Sequence, residues 1–357
     1  MRLTAGRPVR RLWAAVSYLR LRAAVTGFAL AGTLTACAPA PARSGPALPA
    51  HWSRFRHVPG VVDLAGPHAG GSFTVAAAGR LLTLGRAGTL SPFARGPGGY
   101  VTALGPEPYL AMATGTLVAG THCSFGDGTV FALQPGAQPG VIRIDPRGRA
   151  RRFARLAGAG NPDGIAFDTT GSFGHRLLVT ARGQGHTTVL ALDCAGGQHV
   201  LTHRAPSMEG GLAVAPASFG RYGGDLIAPD EGTGRVYAIT PGGSVSTLVR
   251  SGLPHGGDIG VESAGFVPPG FGPAGAAYLA DRYSRGNRHP GTDSILRLPG
   301  QDLARAGVRP GDLLVATEGG AATIAVRCAR RCTVREIAAG PAVSHAEGHV
   351  VFAWPAP

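Results

Sequence analysis

Past residue 58 the hydrophobic and polar positions fall into short β-type runs separated by glycine- and proline-marked turns. One unit recurs: a run ending in an apolar residue, a turn, then a second run. It stands at 80–94, 140–156, 187–203, 234–249, 293–307 and 322–337. The residues just before each turn (Leu84, Ile144, Leu192, Ile239, Leu298 and Val326) are 60, 48, 47, 59 and 28 positions apart. A four-stranded blade takes about 40–50 residues, so two intervals fit directly, two fit with loop insertions and the last is short. Two further apolar strands precede the clearest hairpins. They lie at 164–168 and 176–182 in the third unit, 211–216 and 224–230 in the fourth, and 260–268 and 276–282 in the fifth. Four short antiparallel strands per unit, repeated radially, predict an all-β protein, a β-propeller over 59–357. Six blades are favoured, and the truncated last interval leaves five open.

Composition agrees with that architecture and removes others. Gly and Pro, 57 and 29 of 357 residues, interrupt helices too often for a bundle or coiled coil. The apolar share of 44% is too high for a disordered chain. The formal charge of +14 suggests a polyanion, but every basic residue is Arg, and six of the arginines precede Cys37, where no acid occurs. The rest carries 28 arginines against 20 acids, a net +8 without a run dense enough to track phosphates. Nucleic acid is therefore not an expected partner.

The arginine-rich start leads into an apolar stretch from Ala23 to Ala36, too short after Arg20 and Arg22 for a membrane span. It ends Leu34-Thr35-Ala36-Cys37, which resembles the bacterial lipobox. That resemblance implies a signal peptide at 1–36, cleavage before Cys37 and lipid (diacylglycerol, palmitate-type) attachment to its thiol. The expected location is the outer face of the bacterial cytoplasmic membrane, with the membrane as partner through the anchor. Arg10-Arg11 leaves Sec and twin-arginine export both open. Residues 37–58, rich in Pro and Ala, read as the lipidated Cys and an extended tether. In an exported chain disulfides persist. Cys328 and Cys332 flank a three-residue turn and are placed to bond across a hairpin, which leaves Cys123 with Cys194 if their segments are neighbours. No pair of CxxC knuckles supports zinc at these cysteines.

Asn161-Pro-Asp-Gly-Ile-Ala-Phe-Asp168, followed by Gly171 and RLLVTA, resembles the blade consensus of NHL-repeat and gluconolactonase-like six-bladed propellers of the TolB-like superfamily. EGGLAVAP…GDLIAPDEGTGRVYAITPGG (209–243) is similar. The resemblance covers about 161–249 and implies architecture more than activity, because this superfold hosts many functions.

In a propeller the loops entering the innermost strands converge on a central channel. The entry segments supply Glu107, Asn161, Asp163, Glu209, His255, Asp258, Glu262, His345 and Glu347, and second-strand ends add Asp230, Asp281 and Glu318. Carboxylates and an amide converging on an axis suit a hard divalent cation such as Ca2+. The gluconolactonase-like resemblance implies a catalytic metal on a Glu, two Asn and an Asp, of which Asn161 and Glu209 can be carried over. Read as a strand, His345, Glu347 and His349 share one face and offer a transition-metal set. The tyrosines, Tyr109 among them, read as blade packing. No G-x-S-x-G elbow, phosphate loop or dinucleotide fingerprint is present. The expected function is binding of a small molecule, carbohydrate or protein partner at the channel mouth, with a divalent cation. The alternatives are a metal-dependent lactone hydrolase, a quinone-dependent sugar dehydrogenase, or a scaffold working through blade edges.

Overall fold

The computed structural model describes residues 50–93 and 107–353. Cys37 and the signal and anchor assignments lie outside the described residues. The recurring runs form strands, and the turns between them form where glycine or a short polar residue lets the chain reverse.

Strands β1 (Ala50–His51) and β2 (Ser53–His57) come first. Four discrete blades follow, each with its strands in sequence order from the inside out or the reverse. The first is β3 (Val61–Ala65), β4 (Phe73–Ala77), β5 (Arg80–Leu84) and β6 (Leu90–Pro92). The second is β7 (Leu110–Met112), β8 (Val130–Gln134), β9 (Gly140–Ile144) and β10 (Ala150–Arg155). The third is β11 (Asn161–Phe167), β12 (Leu177–Gly183), β13 (His186–Leu192) and β14 (Gln198–Ala205), with the short β15 (Gly210–Gly211) added in parallel to β11. The fourth is β16 (Ala213–Val214), β17 (Leu226–Asp230), β18 (Arg235–Ile239) and β19 (Val245–Arg250).

The remaining strands are β20 (Val261–Phe266), β21 (Ala276–Asp281), β22 (Ser294–Pro299), β23 (Leu313–Thr317), β24 (Thr323–Cys328), β25 (Cys332–Ala339) and β26 (Ala346–Ala353). With β1 and β2 they form one nine-stranded sheet, ordered β1-β25-β24-β23-β20-β26-β21-β22-β2. Among the described residues there are thus four separate blades and one continuous sheet, not six blades. The chain leaves β20, builds β21 and β22 on the far side of β26, returns to build β23 to β25 beside β20, and ends in β26 between the two sets. That crossing explains the short 28-residue interval, since β22 and β24 lie in different parts of the sheet. It also corrects the expected hairpin at 293–307, where β22 runs into helix α1 (Gly300–Arg305) and not into a partner strand. Within the expected tether at 37–58, residues 37–49 lie outside the described residues, and the part from 50 on is folded, β1 and β2 being integral strands that pair with β25 and β22.

Strands β3, β7, β11, β15 with β16, β20 and β26 touch in a closed ring around a common axis. Where ring strands pair directly, β11 with β15 and β20 with β26, they run parallel. All therefore start at one end of the channel, here the entry end, and finish at the other, the exit end. The cores lie between facing sheets. In one, Phe131 meets Phe125, Phe153 and Phe167, and Phe125 meets Phe167, edge to face at 4.9–5.5 Å between centroids. Both expected disulfides are present, Cys123–Cys194 between neighbouring sheets and Cys328–Cys332 across the β24–β25 turn.

Candidate functional site

The ring strands carry bulges near their entry ends, and those bulges decide where the acids point. Register slips between Pro162 and Gly164 in β11 and between Val261 and Ser263 in β20, so Asp163 and Glu262 are the extra residues. A bulge re-aims the side chain it inserts, and both carboxyls turn toward the axis. Glu107 and Glu209 sit just before β7 and β15, and Glu347 is the second residue of β26. Backbones crowd here. A side chain on Gly210, whose φ is +80°, would put its Cβ 2.3 Å from Glu262 Cγ.

Together these segments build an acidic mouth. Glu262 and Glu347 are buried, and the Tyr109 hydroxyl bridges them, in hydrogen-bond contact with Glu262 Oε1 and 2.7 Å from Glu347 Oε2. One phenolic proton serves one carboxylate, so the other carboxyl carries its own proton. Burial, with repulsion from Glu347, Glu318 and Glu107, pushes the Glu262 carboxyl well above the usual range and makes it the protonated partner. Burial also works against the charge of Glu347, but His345 and Arg282 outweigh it and hold that carboxyl below the ordinary value. Arg282 Nη1 lies 3.2 Å from Glu347 and 3.3 Å from Glu107. Burial, then Glu347 and Glu209, still raise Glu107 to about 9.

Beside this group His345 Nε2 sits 2.8 Å from Glu318 and 3.2 Å from Glu347. Burial disfavours the charged ring, yet the two carboxylates prevail and raise it to about 10. Glu318 rises to about 8, chiefly by burial. Across the mouth Arg182 forks onto both oxygens of Glu209 at 2.7 and 3.2 Å and reaches Asp163 at 3.5 Å. Burial and Glu209 lift Asp163 to about 8, and neither of its oxygens accepts a hydrogen bond. Glu231 and the exposed Asp258 complete the rim near Glu318.

Of the residues singled out in the sequence, the structure thus gathers Glu107, Asp163, Glu209, Asp258, Glu262, Glu318, His345 and Glu347. Asp281 stands behind them, accepting from the His345 backbone N–H at 2.7 Å and from Thr292. Asn161 is not in the group. It is exposed and accepts from the Gly136 N–H at 2.7 Å, so the set Asn161 with Glu209 fails as a metal site. His255 turns to the carbonyl of Leu253 and Asp230 caps its own turn through Thr233.

The set His345, Glu347 and His349 fails too. Gly348, at φ +68°, lies in a stretch where three residues of β26, Gly348 to Val350, stand against one of β21, Leu279, which breaks the expected alternation. His349 is thereby sent down the channel, where Nδ1 meets Asp63 at 2.9 Å and Nε2 donates to the Ile165 carbonyl at 2.8 Å. Asp63 also accepts from the Leu110 and His349 backbone N–H groups, both at 2.8 Å. The pair thus ties β3, β7, β11 and β26 together and floors the acidic mouth. Beyond it the exit end is an apolar recess of about 370 Å3, lined by residues including Met112, Phe167, Val214, Phe266 and Phe352.

Sequence reasoning missed Asp63, Arg182, Glu231, Arg282 and the role of Tyr109. Arg182, Glu231, Arg282 and Glu318 sit at or just past the end of the second strand in their units, a shared position that superposing the units would expose.

Among the described residues three sets of ligand atoms lie within 4.8 Å of one another: Glu107, Glu209 and Glu262; Glu318, His345 and Glu347; and Glu231, Asp258 and Glu318. The first is all oxygen and suits a hard cation, while the second, with an imidazole, suits a transition metal.

No family model matches the chain, and no curated protein does. Among solved structures it is similar to a nidogen/laminin complex, at 14% identity and a TM-score of 0.48, over 82% of this chain and 84% of that one. A virginiamycin B lyase from Staphylococcus aureus matches at 11% and 0.41, over 77% and 84%. A putative gluconolactonase matches at 17% and 0.34, over 70% and 92%. These are likenesses of fold. The class that the chain's own sheets define is a β-propeller with an acidic channel mouth.

Proposed function

We propose that the entry mouth holds a divalent cation, calcium or one of similar hardness, on Glu107, Glu209 and Glu262, and through it binds a small oxygen-rich molecule such as a carbohydrate. The observation that carries this reading is the imbalance at the mouth. Eight carboxyl groups face two arginines and one histidine, and burial with mutual repulsion holds three of them, Glu107, Asp163 and Glu262, largely in the proton-bearing form. A dication supplies the missing charge to an oxygen-only donor set, and Asp163, with no hydrogen bond on either oxygen, stands beside it. The protein is anchored through Cys37 to the outer face of the cytoplasmic membrane, so the mouth samples the extracytoplasmic space.

A metal-dependent lactone hydrolase is the second reading. What favours it is His345, held as a proton donor between Glu318 and Glu347, ready to protonate a leaving oxygen. The misplaced Asn161 weighs against it.

Calorimetric titration with Ca2+, Mg2+, Mn2+ and Zn2+ on chelator-treated protein, with thermal melting, tests the cation. At a hundredfold excess over Kd the native state gains about 2.7 kcal/mol, read as a melting shift of several degrees. Glu262→Gln should lose that shift, and Glu336→Gln, on the exposed β25, should keep it. Absence of binding heat and of any melting shift with every metal refutes the proposal.

A further inference from the structure

We infer that the exit face of the propeller, opposite the acidic mouth, docks on an anionic phospholipid surface. The acids of this protein are spent inside. Among the described residues twenty arginines are exposed and only three acids, Asp127, Asp258 and Glu336. On the exit face lie the turns joining the first to the second and the third to the fourth strand of each blade, with the segment between α1 and β23 and the β24–β25 turn of the nine-stranded sheet. They carry Arg86, Arg147, Arg221, Arg309, Arg330 and Arg331, all exposed and with no ion pair among the described residues. Asp145 and Asp302 on this face are already engaged by Arg149 and Arg305, which leaves Asp127 as its exposed acid.

Three of these arginines form a built feature. Arg221, Arg330 and Arg331 line one cleft of about 320 Å3 with Tyr222 and Cys332. The Cys328–Cys332 disulfide closes the turn that presents Arg330 and Arg331. Arg221 lies 4.7 Å over the Tyr222 ring and hydrogen-bonds its hydroxyl. Guanidinium groups held without a carboxylate partner match the phosphate of a lipid headgroup.

The same face presents apolar groups suited to the layer beneath the headgroups. The recess at the channel exit opens here, rimmed by Phe167, Phe266, Pro268 and Phe352, and Leu117, in the loop joining β7 to β8 on the same face, is 63% exposed. Apolar groups ringed by unpaired arginines fit a bilayer surface. A soluble polyanion would use the charge and leave the apolar rim wet. The inference rests on neither the cation nor the lipid anchor.

An environment-sensitive dye on Pro241→Cys, in the exit-face turn of the fourth blade, reads docking in the full chain carrying Cys37→Ser. A dye on Arg285→Cys, at the entry end, is the control. With vesicles of phosphatidylcholine containing phosphatidylglycerol, the dye at 241 should shift to the blue and the dye at 285 should not. The shift should fade with added salt and be absent with phosphatidylcholine alone. Arg330→Glu with Arg331→Glu should weaken the apparent partition at least about tenfold. No shift at 241, equal shifts at 241 and 285, or equal response to neutral vesicles overturns the inference. If the double variant does not fold, the salt and lipid dependence of the parent decides alone.

Discussion

Replacing Asp63 by asparagine tests whether one buried carboxylate holds the ring of inner strands together. Asp63 is fully buried and accepts three hydrogen bonds at 2.8–2.9 Å, from the Leu110 N–H, the His349 N–H and the His349 ring. An amide offers one oxygen for those donors and turns its own N–H2 toward another. A buried donor left unpaired costs about 1–3 kcal/mol, and breaking a buried ion pair about 3–5 kcal/mol. The expected loss is therefore about 3–4 kcal/mol, a fall of roughly 5–7 °C in Tm for a domain of this size. The loss should depend on pH. Burial opposes charge on His349, but Asp63 more than compensates and raises its pKa above the ordinary 6.5. A group raised in the folded state contributes its full stability below the unfolded pKa and loses it as pH rises through the folded one. The gap between wild type and Asp63→Asn in urea unfolding should be widest below about pH 6.5 and narrow on the alkaline side. A Tm within 2 °C of wild type, or a gap that widens as pH rises, would refute the argument.

Two further outcomes follow from the same geometry. Gly348→Ala places a Cβ 2.2 Å from Asp63 Oδ1 at a φ of +68°, and should destabilise by roughly 2–4 kcal/mol in denaturant unfolding; a change under 1 kcal/mol would mean that the bulge does not constrain β26. By loop-closure entropy, removing Cys123–Cys194, with a separation of 71 residues, should cost about 4 kcal/mol, whereas removing Cys328–Cys332, with a separation of 4, should cost about 2 kcal/mol. Paired Cys→Ser variants compared by urea midpoint check the order, and the reverse order would count against that origin.

The blades and most of the acids could be read from the sequence because both are written locally. A strand, turn and strand within 16 residues is visible in its own composition, and Glu107, Glu209 and Glu262 announce themselves as acids at the mouths of apolar runs. What escaped depends on partners distant in sequence. Nothing near 276–299 states that β21 and β22 pair with β26 and β2 and not with β20. Asp63 and His349, 286 residues apart, give no sign of each other. The bulge at Gly348 defeated the alternation that had placed His349 beside Glu347. Asn161 looked like a ligand because short polar residues before a strand serve turns and sites equally well.

The position of β26 bears on when this protein comes into being. It is the last strand among the described residues and the one that joins the two parts of the nine-stranded sheet, while β2, near the start of the described chain, closes one outer edge. Until Phe352 is in place the ring is open, Asp63 has no histidine, and Glu347 is missing from the mouth. Neither the channel floor nor the acidic cluster can assemble on a nascent or truncated chain. Loss of β26 should therefore leave a chain that proteases clear, and not a weaker version of the same molecule. Synthesis through β26 thereby becomes a condition for having a site at all.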